Sequence, residues 1–157
     1  MLQFPYQPVP LVGTPPPSLP PTATVRWRPF APVTIIGPTG VSRRFQRALV
    51  DPGADDTVFP LELVDRLRMV LRPDTGQKLR WRGEVYQLRY GDAELELADG
   101  DTLYRWTTVV CFSRAPIPYR ILGYAGCLEF FNVTFRGADQ TVEIEPNLSY
   151  PGTIASR

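Results

Sequence analysis

The chain has 157 residues, a length that suits one domain able to bury about two-thirds of its unfolded surface without disulfide support. Its 17 basic and 16 acidic side chains nearly cancel, so no overall field favours nucleic acid or an anionic membrane surface as a partner. The absence of histidine excludes Ser-His and Cys-His triads and the usual zinc ligand sets, which leaves carboxylates or Ser-Lys pairs for hydrolysis.

The apolar runs are too short to span a bilayer, and the N-terminus lacks the basic region and apolar core of a secretion signal. We therefore expect a cytoplasmic protein. Two cysteines, Cys111 and Cys127, cannot form a disulfide framework and have no neighbours typical of a metal-ligand pair. They are predicted to be buried free thiols.

Ten of the 18 prolines lie within residues 1–32, and we interpret residues 1–24 as a proline-rich tail that precedes one domain at residues 25–157. Residues 15–21, Pro-Pro-Pro-Ser-Leu-Pro-Pro, have few backbone donors and are predicted to be extended or disordered, with polyproline II character. Three interpretations stay open for the tail: a semi-rigid spacer, a ligand for an aromatic-lined groove, or a strand that embraces a partner subunit.

Short β-type runs separated by turn signals begin at residue 25. Residues 33–36 and 45–50 are predicted strands. A short helix is predicted after Phe59, with Pro60 at its first position and a turn at residues 73–76 after it.

The second half of the chain is predicted to form hairpins. Residues 79–82 and 85–90 flank Gly83-Glu84, and residues 93–98 and 102–112 flank Asp99-Gly100-Asp101. The strict alternation of residues 94–97 predicts one buried and one wet face. Short strands at residues 120–123, 132–135 and 141–144, with a helical turn within residues 125–131, complete an all-β, closed or nearly closed domain.

One loop has the pattern of a catalytic carboxylate. Asp51 ends an apolar run and is followed by a Pro52-Gly53 turn and by two more acids, Asp55 and Asp56. Taken alone, this loop is also compatible with a polar turn, whereas a calcium loop would require alternate ligand spacing that is missing.

Carboxylate-based peptide hydrolysis requires two acids that share one proton, because two adjacent like charges cannot both ionise. Three aspartates elsewhere in the chain, Asp92, Asp99 and Asp101, lie among turn residues without an apolar strand before them. A second copy of Asp51 would then have to come from a second subunit, across a two-fold axis at which the two loops meet.

The segment Ala-Leu-Val-Asp-Pro-Gly-Ala-Asp-Asp-Thr-Val at residues 48–58 resembles the catalytic segment of the retropepsin-like aspartic peptidases, the homodimeric family of retroviral proteases and their cellular and bacterial relatives. Ile-Leu-Gly at residues 121–123 and the segment at 128–135 resemble the family's hydrophobic-hydrophobic-glycine motif, short helix and following strand. The resemblance covers about residues 33–145 and implies the closed β-barrel of the acid protease fold.

Position by position, the resemblance implies that Asp51 is the catalytic aspartate and that the amide of Gly53 supports its carboxylate. The positions that line the cleft and bind the substrate backbone fall on Ala54, Asp55 and Asp56. The family's flap would be the hairpin at residues 79–90, with Gly83 near its tip, although an ordinary sheet hairpin explains Gly83 equally well.

The sequence departs from the family at two positions. Pro52 replaces a threonine or serine whose hydroxyl and amide interlock the two loops, and each polar partner left unsatisfied would cost about 1 to 3 kcal/mol. The fixed φ of proline would stiffen the loop. Tyr124 stands where the family often has an arginine that pairs with the acid matched by Asp55. The alternative partners considered for Asp55 are Arg120, Arg26, Arg28, Arg43 and Arg44.

The resemblance implies an aspartic endopeptidase that binds a peptide or protein substrate, works as a homodimer and needs no metal or organic cofactor. Two alternatives are kept. In one, Pro52 has abolished catalysis and the fold remains a peptide-binding or dimerisation module. In the other, the domain is an assembly piece joined to partners through residues 1–24.

Overall fold

Strands account for 54% of the chain and helices for 4% in the computed structural model, which describes residues 1–156. The strands are β1 (Leu2–Pro5), β2 (Gln7–Pro10), β3 (Val25–Arg28), β4 (Phe30–Ile36), β5 (Ser42–Val50), β6 (Val58–Pro60), β7 (Lys78–Trp81), β8 (Glu84–Ala98), β9 (Thr102–Ser113), β10 (Arg120–Leu122), β11 (Phe131–Arg136), β12 (Thr141–Pro146) and β13 (Thr153–Ser156). One helix, α1 (Leu63–Arg66), and one 3-10 turn (Leu128–Phe130) interrupt them. The predicted all-β class is confirmed.

Six of the strands close a barrel. The main sheet has the order β13-β9-β6-β10-β5-β4-β8-β7, and β8 also pairs with β9 along its length, which closes the ring. Two smaller sheets, β1-β12-β11 and β2-β3, lie outside this ring. Closure leaves the six barrel strands without a free edge. No helix within residues 1–156 is long and apolar enough to cross a membrane.

The strand alternation fills the core as predicted, with one difference. Leu95 and Leu97 are fully buried on the inner face of β8. On the face predicted to be exposed to solvent, Glu96 is buried, with only 8% of its surface exposed. Its carboxylate accepts a hydrogen bond from Arg105, the residue opposite it on β9, with an Nη2–Oε2 distance of 2.7 Å. A cross-strand ion pair therefore compensates for the burial of this carboxylate.

Part of the predicted tail packs with the domain. Strand β1 pairs with β12, and its side chains Leu2 and Phe4 belong to the hydrophobic core. Residues 15–21 are predicted to be extended or disordered, with polyproline II character, and the structure shows turns in place of the extended conformation. The amide of Leu19 donates to the carbonyl of Pro16 and that of Ala23 to the carbonyl of Pro20, which makes two successive turns. Prolines fit these turns because each bond needs only the carbonyl of a proline and takes its donor from another residue.

Both predicted hairpins of the second half are present, with a shift at one turn. Strands β8 and β9 meet at residues 99–101 as expected. Strands β7 and β8 are joined by Arg82 and Gly83, whose φ values of 50° and 86° fit a two-residue hairpin turn, so the turn lies one residue earlier than predicted. Pro60 is the last residue of β6 and not the first of a helix, since α1 begins at Leu63.

Candidate active site

The loop at residues 51–57 lies where the strands β5, β6 and β10 meet. It connects β5 to β6, and β10 lies between them, parallel to β5 and antiparallel to β6. The C-terminal ends of β5 and β10 therefore lie at the same end of the barrel. The amide of Asp51 donates to the carbonyl of Leu122 at 3.0 Å, which brings the two family-like motifs into contact.

The Asp51 carboxylate is held by its own loop. The amide of Gly53 donates to Oδ1 at 3.0 Å, and the amide of Ala54 donates to the Asp51 carbonyl at 3.1 Å. Asp51 is half-buried, whereas Pro52 and Gly53 are exposed. One carboxylate oxygen is thus oriented by the backbone while the group stays open to solvent, which is the arrangement that an acid-base residue needs.

Gly123 fits tightly beneath this loop. Its amide donates to the Thr57 hydroxyl at 3.2 Å, and the hydroxyl donates back to the Gly123 carbonyl at 3.4 Å. A Cβ at position 123 would overlap the carbonyl of Asp56 and would lie 2.9 Å from the carbonyl of Ala54. Only glycine allows this approach, so the Ile-Leu-Gly motif shapes the loop by backbone contact.

Two further backbone bonds fix the middle of the loop. The amide of Tyr124 donates to the carbonyl of Ala54 and that of Ala125 to the carbonyl of Asp55, each at 2.8 Å. The Tyr124 side chain itself is 61% exposed. Residue 124 therefore holds the loop through its backbone and presents an aromatic side chain to solvent beside it.

A small apolar cluster lies between the loop and the β7-β8 hairpin. It is separate from the main hydrophobic core, and we call it the second apolar cluster. Its four buried members are Val58, Leu88, Cys111 and Ile121. Partly buried side chains pack against it from the loop (Ala54), from the hairpin (Leu79 and Tyr90) and from the connection between β9 and β10 (Ile117). The loop and the hairpin therefore share one apolar surface, as expected of a wall that contacts apolar parts of a ligand.

One hydrogen-bonded pair lies at the border of this cluster. The Tyr90 hydroxyl donates to Oδ2 of Asp56 at 3.1 Å, and Tyr90 is paired across strands with the buried Cys111. The pKa of the Tyr90 phenol is raised well above its usual range, mainly by burial and to a smaller extent by the neighbouring Cys111 and Asp56. The Tyr90 hydroxyl therefore keeps its proton and remains a hydrogen-bond donor. Burial also raises the pKa of Cys111 to about 12. Sequence reasoning missed Tyr90, because only the tertiary structure brings it to Asp56.

The structure places the predicted site residues in two groups. Six of the seven lie in the loop between β5 and β6: Asp51, Pro52, Gly53, Ala54, Asp55 and Asp56. Gly83 lies apart from them, at the tip of the β7-β8 hairpin, with a φ of 86° and no heavy atom within 4 Å of where its Cβ would stand. Its left-handed backbone is the conformation that the turn requires.

The expectation of an arginine partner for Asp55 is not met among the residues that the structure describes. Among residues 1–156, no ion pair joins Asp55 to Arg120 or to any of the other four arginines considered. The Arg120 guanidinium instead stacks on the Phe45 ring, 4.6 Å from its centroid. Within that same part of the chain, no cluster of acidic or cysteine side chains is arranged to hold a metal ion.

A groove of about 1050 Å³ lies apart from the loop, and Asp51 does not line it. Its walls include Pro60 of β6 and Arg120 of β10, at the ends of these strands that are remote from residues 51–57. Charged side chains on its walls are Glu62, Asp65, Arg89, Arg114 and Arg120. The groove and the candidate active site are therefore separate features.

Comparison of the chain with protein-family models, with curated proteins and with solved structures finds no match. The function of the Asp51 loop has therefore to be inferred from the chemistry and geometry of the chain itself.

Proposed function

We propose that the chain is an aspartic endopeptidase of the retropepsin type, in which the Asp51 carboxylates of two subunits activate a water molecule. The main support is the geometry of Asp51. It follows directly after a barrel strand, its Oδ1 accepts the Gly53 amide at 3.0 Å, and it is half-buried within an exposed loop. A carboxylate held in this way is oriented by backbone yet remains available to solvent and to a second chain.

The proposal requires two chains because one Asp51 supplies only half of a proton-sharing pair. Two aspartates outside the loop have partners of their own: Asp92 is paired with Arg72 at 2.7 Å, and Asp99 accepts the amides of residues 101 and 102. Around Asp51, the exposed Pro52, Gly53 and Tyr124 provide surface for a two-fold contact. We therefore propose a homodimer with one active site on its axis.

In this mechanism one carboxylate of the pair is neutral and the other is ionised. The ionised group takes a proton from the bound water, which attacks the scissile carbonyl, and the neutral group gives its proton to the leaving nitrogen. The two apparent pKa values then belong to the pair and not to either residue. The second apolar cluster and the β7-β8 hairpin would contact the apolar parts of the peptide.

A second candidate function is a peptide-binding or dimerisation module without catalysis. Pro52 favours it, because proline has neither the hydroxyl nor the amide hydrogen with which adjacent loops interlock. The apolar surface beside the loop would then remain as a cleft, while the two carboxylates would not be held in register.

Peptide-library cleavage between about pH 4 and 7 distinguishes the two candidates. The wild type, Asp51→Asn and Asp101→Asn are purified identically; Asp101 is an exposed turn residue remote in sequence from the loop and serves as the matched control. The endopeptidase proposal expects cleavage by the wild type and Asp101→Asn, and a loss with Asp51→Asn of at least about 100-fold. Cleavage that persists in Asp51→Asn would refute it.

Pro52→Thr separates the two candidates further. If the wild type is inactive and Pro52→Thr cleaves, the natural chain is the binding module. Sedimentation of both proteins shows whether the change also strengthens the dimer. A wild type that stays monomeric at concentrations where it cleaves peptides would contradict the shared active site.

A further inference from the structure

The groove at the remote ends of β6 and β10 is lined by charged side chains that are not paired with one another. It lies around the end of β9, where Ser113 pairs with Pro60 of β6 on one side and with Leu88 of β8 on the other. Its volume of about 1050 Å³ is as large as that of cavities that typically bind a ligand. None of its five charged residues forms an ion pair with a partner within residues 1–156.

Arg120 is the charge that the structure defines best. Its guanidinium stacks on the Phe45 ring, and its Nε is buried without an acceptor among residues 1–156. Burial lowers the pKa of Arg120, while the nearby Glu62 opposes this shift and the like charge of Arg43 adds to it. Arginine nevertheless stays charged, so Arg120 is a partly desolvated cation whose donors are not all satisfied. A carboxylate that reaches it gains a charge-assisted hydrogen bond without displacing an existing ion pair.

Two further arginines add to the positive charge of the groove. The Nε of Arg89 is also buried without an acceptor among the described residues, and its Nη2 makes only a long hydrogen bond of 3.4 Å to the Arg72 carbonyl. Arg114 is exposed on the connection between β9 and β10. Positive charge therefore reaches the groove from three segments of the chain, which are β8, this connection and β10.

The other walls of the groove favour a peptide over a nucleic acid. Glu62 and Asp65 also line it and would repel a continuous run of phosphates. None of the described side chains that line it is aromatic, so it offers no surface on which a base could stack. Apolar side chains suited to the aliphatic side chains of a peptide complete the walls, among them Leu61, Val64, Leu71 and Ile117.

We propose that this groove is a docking site for an acidic segment of a partner protein, in which carboxylates flanked by aliphatic side chains bind Arg120 and the two other arginines. The proposal goes beyond the peptidase function and does not depend on it, because Asp51 does not line the groove. The planar guanidinium of Arg120 can donate two parallel hydrogen bonds to one carboxylate. Since the Phe45 ring already holds the plane of this group, binding costs less side-chain entropy than it would for a free arginine.

The test compares two hexapeptides with blocked ends and the same neutral dye, Ser-Leu-Glu-Glu-Leu-Ser and Ser-Leu-Gln-Gln-Leu-Ser. Their dissociation constants are measured by fluorescence anisotropy at about pH 7.5 and about 0.15 M salt, so that weak surface charges are screened. The proteins are the wild type, Arg120→Gln, Arg120→Lys, Arg114→Gln and Arg44→Gln. Arg44 is an exposed arginine of β5 that does not line the groove, so it is the matched control for the loss of one charge.

The glutamate peptide should bind about 10-fold more tightly than the glutamine peptide to the wild type and to Arg44→Gln. This ratio should fall to about 2 or less in Arg120→Gln. It should be intermediate in Arg114→Gln, and also in Arg120→Lys, because lysine retains the charge but not the planar pair of donors. The ratio does not depend on partial unfolding, since an inactive fraction affects both peptides equally, and replacing the exposed Arg114 removes no packing contact of the core.

A wild-type ratio of about 1 would overturn the inference, as would a ratio that survives both Arg120→Gln and Arg114→Gln. So would tighter binding of a short oligothymidine with the same dye, which would assign the groove to nucleic acid. If neither peptide binds, the inference fails. If in that case Arg114→Gln also converts a dimeric wild type into a monomer in sedimentation, the groove is a contact between subunits.

The same measurements on Asp51→Asn separate this inference from the proposed function. The ratio should be unchanged in that variant, in which cleavage of the probes by the Asp51 pair is excluded. It should also be unchanged if the wild type proves to have no peptidase activity. A ratio that is lost in Asp51→Asn and retained in Arg120→Gln would place the acidic peptide at the candidate active site and would overturn the docking site.

Discussion

Gly123→Ala tests whether the Asp51 loop is held against the end of β10. The new methyl group would overlap the Asp56 carbonyl and lie 2.9 Å from the Ala54 carbonyl. Both neighbours are backbone, so no change of rotamer relieves the overlap. Gly123 does not have a positive φ, so alanine costs nothing in backbone conformation there and the effect is steric.

The expected loss of stability is about 2 to 4 kcal/mol. Overpacking a rigid site costs about 1 to 3 kcal/mol, and displacing the Thr57 hydroxyl from the two backbone groups of Gly123 removes hydrogen bonds worth about 1 kcal/mol each. Alanine restricts the unfolded chain, which returns about 0.4 to 1 kcal/mol. For a domain of this size the sum corresponds to a decrease in Tm of about 4 to 16 °C.

Urea unfolding and calorimetry of Gly123→Ala measure this loss, with Gly100→Ala as the matched control. Gly100 lies in the exposed turn between β8 and β9, has no positive φ, and has no heavy atom within 4 Å of where its Cβ would stand. Its replacement should change the free energy of unfolding by less than about 1 kcal/mol. If the two variants unfold within about 0.5 kcal/mol of each other, the close contact between Gly123 and the loop is refuted.

Three further outcomes are expected. Thr57→Val should lower the free energy of unfolding by about 1 to 3 kcal/mol in urea titrations, because the buried Gly123 amide loses its acceptor, whereas the Gly123 carbonyl keeps the Leu128 amide at 3.0 Å. Burial raises the pKa of Cys111 to about 12, above its value in the unfolded chain. The stability that this thiol contributes is therefore complete below about pH 8.5 and decreases as the pH rises. Cys111→Ala should make the fall of the unfolding free energy between about pH 9 and 10 shallower. Replacing both members of the exposed pair Arg72 and Asp92 by alanine should show a coupling energy below about 1 kcal/mol in a double-mutant cycle.

The sequence predicts the β-structure wherever alternation and turn chemistry are strong. Alternating residues place Leu95 and Leu97 in the core, and the turn at residues 99–101 is found where its residues indicate. Prediction fails where tertiary contacts outweigh local preference. Pro60 is a good first helical residue, yet it ends β6, because that strand is paired between β10 and β9.

The candidate site shows the same division. The order Asp51, Pro52, Gly53 is sufficient to predict a turn after an apolar strand, and the Gly53 amide does support the carboxylate. The contact between Gly123 and the loop joins segments about 70 residues apart, and the Tyr90 to Asp56 hydrogen bond spans 34 residues. Neither contact follows from local pattern.

Local pattern is enough to predict the all-β class, the positions of the strongest strands and turns, and the loop that holds Asp51, because each depends on the preferences of neighbouring residues. The folded structure alone shows that Leu2 belongs to the core, that Glu96 is buried beside Arg105, and that Tyr90 donates a hydrogen bond to Asp56. These contacts depend on strand register and barrel closure, which the whole set of pairings fixes together and no single segment specifies.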